Sequence, residues 1–152
     1  MSDEQRPERK EPVPADFYCT RDPEHPLMYI YTPAGRESQQ TVSTLYNSDI
    51  GFDINVDYLP GDVLAGIEFI SFHLYLPKDS PLVSEAVESG WVQLMTTGNV
   101  LFFADPTVRP RSEGGSVTEL AMPGSELRVQ CVFDPAGRLS HMVFPAPVAP
   151  AD

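Results

Sequence analysis

The chain has 152 residues, of which 22 are acidic and 10 basic, giving a net charge of -12. A surface of that sign repels nucleic-acid phosphates and anionic lipid, so no nucleic acid and no membrane is expected as partner, and a basic protein is favoured. Two cysteines without a close pair suggest neither a disulfide framework nor a thiolate zinc site, and no apolar run approaches the roughly 18 residues of a spanning helix.

Residues 1–14 mix charge and proline without an apolar period and read as a disordered arm. This start lacks the apolar segment of a signal peptide, so a cytoplasmic setting is expected. From residue 15 the texture changes. Turn signals at Asp22–Pro26, Thr32–Gly35, Leu59–Asp62, Thr96–Asn99, Met122–Ser125 and Asp134–Gly137 bracket runs rich in β-branched and aromatic residues. That is the pattern of a mostly β domain.

The most regular stretch is Ile50–Phe69. Ile50, Phe52, Ile54, Val56 and Tyr58 alternate with Gly51, Asp53, Asn55 and Asp57, as on a strand with one buried face. Leu59-Pro60-Gly61-Asp62 turns the chain, with glycine where a type II turn needs a positive φ, and Val63–Phe69 returns. Farther on, Ile67 and Phe69 are odd-numbered whereas Ile70, Phe72, Leu74 and Leu76 are even, which requires a bulge or bend near Ile70–Ser71. Residues 77–90 form a connector, with Ser80 as N-cap and Pro81 opening a short helix. Leu82, Val83, Ala86 and Val87 would give that helix its apolar face.

The second half repeats the first. Val42–Phe69 aligns with Val117–Phe144 without a gap, and Leu27–Pro33 aligns with Val100–Pro106. Each unit then reads as a hairpin, a middle strand and a second hairpin, the first unit over residues 15–76 and the second over 91–145, before a tail at 146–152. The architecture expected is two related antiparallel β-units, products of internal duplication, packed on each other. Halves of about 60 residues would be marginal alone, whereas one shared core can hide roughly 68–70% of the unfolded surface.

The first unit also carries Asp22-Pro23-Glu24, Leu27-Met28-Tyr29-Ile30, Val56-Asp57-Tyr58 and Gly66-Ile67-Glu68-Phe69. On these motifs, over about residues 16–72, it resembles the small bacterial and phage group called domain-of-unknown-function family 2283. The second unit departs from the pattern, with Thr97-Gly98-Asn99 for the acidic turn and His141-Met142-Val143 for Gly-Ile-Glu. The resemblance implies a small β-sheet module, often single-copy, with no established activity and no catalytic residue. It also implies that two fused modules mimic a dimer of single ones.

Chemistry-bearing patterns are sparse. Asp53-x-Asn55-x-Asp57 has the spacing that opens a calcium loop, but Tyr58 and Leu64 stand where glycine and a bidentate acid are required. On a strand the three project in a row from the wet face, and Glu68 extends the row across the hairpin. His25, His73 and His141 lack metal-ligand spacing, Cys131 falls on the expected core face and hairpin geometry does not require it beside His141, and no glycine-rich phosphate loop is present. No catalytic residue, metal or cofactor is therefore assigned. Arg109 and Arg111 belong to a polar linker. Leu27–Tyr31 and Val100–Ala104 are apolar on both faces, which places them centrally or at a contact between chains, so self-association is open.

The function expected is a non-enzymatic β-sheet interaction module whose partner-binding face is Asp53, Asn55, Asp57 and Glu68. The alternative is a small-ligand binder or enzyme with its site at the junction of the units.

Overall fold

Among the described residues the chain forms ten strands: β1 (Val13–Arg21), β2 (Leu27–Tyr31), β3 (Val42–Tyr46), β4 (Asp53–Leu59) and β5 (Val63–Ile70), then β6 (Ser89–Thr97), β7 (Val100–Phe102), β8 (Ser116–Ala121), β9 (Arg128–Phe133) and β10 (Leu139–Val143). Two short helices, α1 (Pro33–Glu37) and α2 (Pro81–Ser84), and a 3-10 turn at Phe72–Leu74 interrupt them. The structure, a computed structural model, describes residues 12–22, 24–37, 42–46, 52–61, 63–84, 88–103, 115–121 and 128–146.

All pairings are antiparallel, and they join the strands into one sheet in the order β3-β4-β5-β2-β1-β6-β7-β10-β9-β8. Each half is a hairpin, a middle strand and a second hairpin. In both, the second hairpin docks beside the first and the middle strand goes to the sheet edge. The edge strands β3 and β8 touch, so the sheet curls around its apolar face.

The final hairpins agree residue by residue. In the first, Val56 pairs with Ile67, Asp57 with Gly66 and Tyr58 with Leu64, leaving Ala65 as a bulge. In the second, Cys131 pairs with Met142, Val132 with His141 and Phe133 with Leu139, leaving Ser140 as the bulge. This bulge produces the shift in apolar parity between Leu64 and Ile67, because one extra residue reverses which side chains point inward. The turns differ as their glycines require. Gly61 (φ 86°) closes one, and Gly137 (φ 87°) closes the other, where an Asp134 carboxylate oxygen accepts from Ala136 and Arg138 N–H, each at 2.9 Å.

Two alignments need correction. Ile30 pairs with Ile67 and Leu101 with Met142, so Ile30 matches Leu101 and Tyr29 matches Val100, which displaces the expected Leu27–Val100 match by two residues. Displacement by two keeps the same face inward, so the alternation could not reveal it. At the edges, Val42 pairs with Tyr58 and Ser116 with Phe133, so Val42 corresponds to Ser116, not Val117. Here the slip is one residue and reverses the face. Val117 is 50% exposed while Leu120 is buried.

One apolar cluster spans both halves. Phe69 meets Phe103 edge-on at 5.6 Å, and Phe52 meets Phe133 at 4.8 Å. The seam between halves is the β1–β6 ladder, with Val13–Thr20 running against Ser89–Thr96. The expected bend is at Ser71, whose φ of 55° takes the chain off the sheet, burying Phe72 and exposing Leu74. The end of the first unit is then tied to the second half, as Leu139 N–H donates to Tyr75 O (2.7 Å) and the Arg138 guanidinium to His73 O (3.0 Å). In α2, Leu82 N–H donates to Ser80 Oγ at 3.2 Å and Leu82 is buried. Ala86 and Val87 lie outside the described residues, as do the arm up to residue 11, Arg109, Arg111 and the end of the tail. Val13 and Pro14, read from sequence as arm, belong to β1.

Candidate functional site

The sheet has an inward face, holding the shared core, and an outward one. Asp53, Asn55 and Asp57 project outward along β4, and Glu68 lies outward on β5, directly opposite Asn55. The four expected residues therefore share one face on adjacent strands. Their environments are unequal. Asp53, Asn55 and Glu68 are half-buried, whereas Asp57 is only 8% exposed.

Asp57 is covered because Gly66 stands opposite it. A Cβ on Gly66 would lie 2.5 Å from the Tyr29 ring, so the absent side chain is what lets Tyr29 lie across β5 and donate its hydroxyl to the Asp57 carboxylate. Burial, then that carboxylate, pushes the Tyr29 hydroxyl pKa well up, so it stays a donor. Tyr31 packs on Tyr29 with ring centroids 4.2 Å apart.

Across the same face, the rungs run from Gly66 to Tyr31, to Tyr18 and to Trp91. Trp91, the chain's one tryptophan, is 52% exposed and stands edge-on to Tyr18 at 5.3 Å. The Tyr18 hydroxyl is hydrogen-bonded to Ser89 Oγ. Over these rings lies Arg36, its guanidinium carbon 3.6 Å from the Tyr18 centroid and 5.7 Å from that of Trp91.

Arg36 is held there by α1, which sequence analysis reads only as a turn. Thr32 caps the helix, its Oγ1 accepting from Gly35 N–H at 2.9 Å, and Pro33 takes the first helical position. The Thr32 N–H donates to the carbonyl of the bulge residue, Ala65, at 2.9 Å, and its hydroxyl donates to Leu64 O, also at 2.9 Å. Gly35 then packs so closely that a Cβ would fall 2.0 Å from Ala65 O. The signal that could have found α1 is Thr32-Pro33, the same pairing that marks Ser80-Pro81.

Nucleophilic chemistry has no support in this arrangement. Cys131 points into the core opposite Met142, and His141 faces outward opposite Val132, on the other side of the sheet. Burial raises both thiols, Cys19 to about 11 and Cys131 further, so neither is a thiolate at neutral pH. Among the described residues, no three His, Cys, Asp or Glu side chains gather as metal ligands. Asp53, Asn55 and Asp57 lie in a row along a strand, not around an ion. At the junction of the halves, β1 and β6 pair over apolar packing on the inward face, while on the outward face Tyr18, Ser89 and Trp91 meet Arg36. No described helix is long and apolar enough to cross a membrane. Comparison with family models, with curated proteins and with solved structures finds no match to this chain.

Proposed function

We propose that the chain is a non-enzymatic interaction module built from two copies of one β-unit, the first akin to domain-of-unknown-function family 2283. It works in the cytoplasm by presenting a rigid sheet face to a partner protein. The contact surface is the outward face of the first half, with Asp53, Asn55 and Glu68 at its acidic flank and Asp57 beneath Tyr29. The observation that supports this reading is the convergence of these side chains on adjacent strands of one face, beside the half-buried Tyr29 and Tyr31 rings. A carboxylate row in a chain of net charge -12 favours a basic partner and gives its binding a salt dependence.

The test is the double reversal Asp53→Lys with Glu68→Lys, compared with the unaltered chain by affinity purification at low salt and mass spectrometry. Loss of basic proteins from the recovered set is expected. An unchanged set removes this face from consideration.

A further inference from the structure

The first unit, residues 15–76, contains only two basic residues, Arg21 and Arg36, and both lie over aromatic rings. They differ in setting. Arg21 sits 4.9 Å from the Phe72 centroid, beside a largely buried ring at the hairpin end. Arg36 is exposed, in the middle of an outward face; its backbone N–H donates to Thr32 O at 2.9 Å, but among the described residues no carboxylate reaches its guanidinium and no acceptor takes a guanidinium N–H. Among the described residues its guanidinium is held by the Tyr18 and Trp91 rings.

Stacking uses the flat face of the guanidinium and leaves its donor-bearing edge open. The capped turn at Thr32, the bulge carbonyl of Ala65 and the close approach of Gly35 fix the backbone that carries Arg36. Less conformational freedom is then lost when the edge engages a ligand. A planar fork of N–H donors matches the two oxygens of a carboxylate or phosphate. Beside it, the half-exposed Trp91 supplies an apolar ring face and an indole N–H. The carboxylates next along the chain are Glu37, beside Arg36, and Asp16, two residues from Tyr18 on the same outward face, and Asp16 already accepts from Gln93 Nε2 at 3.1 Å.

We propose that Arg36, stacked on Tyr18 beside Trp91, forms a subsite for an oxyanion, carboxylate or phosphate, carried on a flat apolar group. The oxyanion pairs with the guanidinium edge and the apolar group lies against Trp91. This subsite does not depend on the acidic flank serving as a contact surface.

Because Trp91 is the one tryptophan, its emission reports occupancy directly. The full chain is titrated with benzoate, phenyl phosphate, benzyl alcohol and benzylammonium, and so is Arg36→Gln, whose fold is checked by far-ultraviolet circular dichroism. A saturable change with benzoate or phenyl phosphate is expected, and whichever saturates at the lower concentration identifies the oxyanion. Arg36→Gln should weaken it about tenfold or more, the usual loss for charge-assisted hydrogen bonds. No saturable change, an equal response to benzylammonium or benzyl alcohol, or undiminished binding by a folded Arg36→Gln would overturn the proposal.

Discussion

The two halves place different chemistry on the same frame. Following the rungs on the inward face gives Cys19, Ile30, Ile67 and Val56 in the first half and Thr96, Leu101, Met142 and Cys131 in the second. All eight are fully buried. On the outward face the corresponding rungs are Tyr18, Tyr31, Gly66 and Asp57 in one half and Met95, Phe102, His141 and Val132 in the other. One outward row is phenols and a carboxylate. The other is apolar with a single imidazole, and its Phe102, His141 and Val132 are buried although they face away from the core. The inward rows must satisfy one packing problem and so remain alike. The outward rows are under no such constraint, and there the halves differ.

The first way to break the comparison is to ask whether the halves are one cooperative body. Phe69 is fully buried and touches Phe103 of the other half. Phe69→Ala should cost about 3–5 kcal/mol, the usual range for a large buried ring. Urea unfolding followed by Trp91 emission and by circular dichroism should give one coincident transition, shifted as a whole. Two separated transitions would mean that each half folds on its own, against a shared core.

A smaller effect sharpens the contrast at the bulges. Ala65 O accepts from Thr32 N–H, and Ser140 O accepts from Phe103 N–H at 3.0 Å, so both bulges anchor the strand beside them. Only the first places a capping threonine there, while Phe103 turns into the core. Gly35→Ala would drive a Cβ against the Ala65 carbonyl, a backbone atom that cannot swing away. A loss of about 1–3 kcal/mol is expected, together with a change in Trp91 emission as Arg36 leaves Tyr18. Unchanged stability and emission would show that the turn is not what positions Arg36.

What the sequence made legible follows the same division. Inward alternation, the proline turns and the five-strand plan of each half are local patterns, and Ile54, Val56 and Ile67 stand as the period predicts. The β7 register was hidden because a two-residue slide leaves the inward face unaltered. The edge strand β8 slipped by one residue because only one neighbour constrains it. At the outward surface the sequence identified the row Asp53, Asn55, Asp57 but not the burial of Asp57, which depends on Gly66 making room for a ring from β2. The aromatic residues read from the sequence as core or sheet surface, and their band is not legible there for a related reason. Tyr18, Tyr31 and Trp91 lie on three strands, and only the pairing of β1 with both β2 and β6 brings them side by side.

The subtlest test concerns His141, which occupies the rung where the first half has Gly66. Its ring lies 6.0 Å from that of Phe102, is buried, and has Ser140 Oγ 3.1 Å from Nδ1, placed to donate to a neutral imidazole. Burial penalises the imidazolium, so the folded pKa falls below the ordinary histidine value of 6.5. The unfolded chain then takes up a proton first as pH drops, and binds more protons than the folded chain just below 6.5. Stability from this residue is therefore complete above that value and declines as pH falls through it. His25 and His73 are exposed and remain in the variant His141→Gln, as do all carboxylates. Urea midpoints between pH 7.5 and 5.5 should fall more steeply for the unaltered chain than for His141→Gln. Parallel slopes would mean that His141 is hydrated in solution, and that the second half's outward row is open to water there.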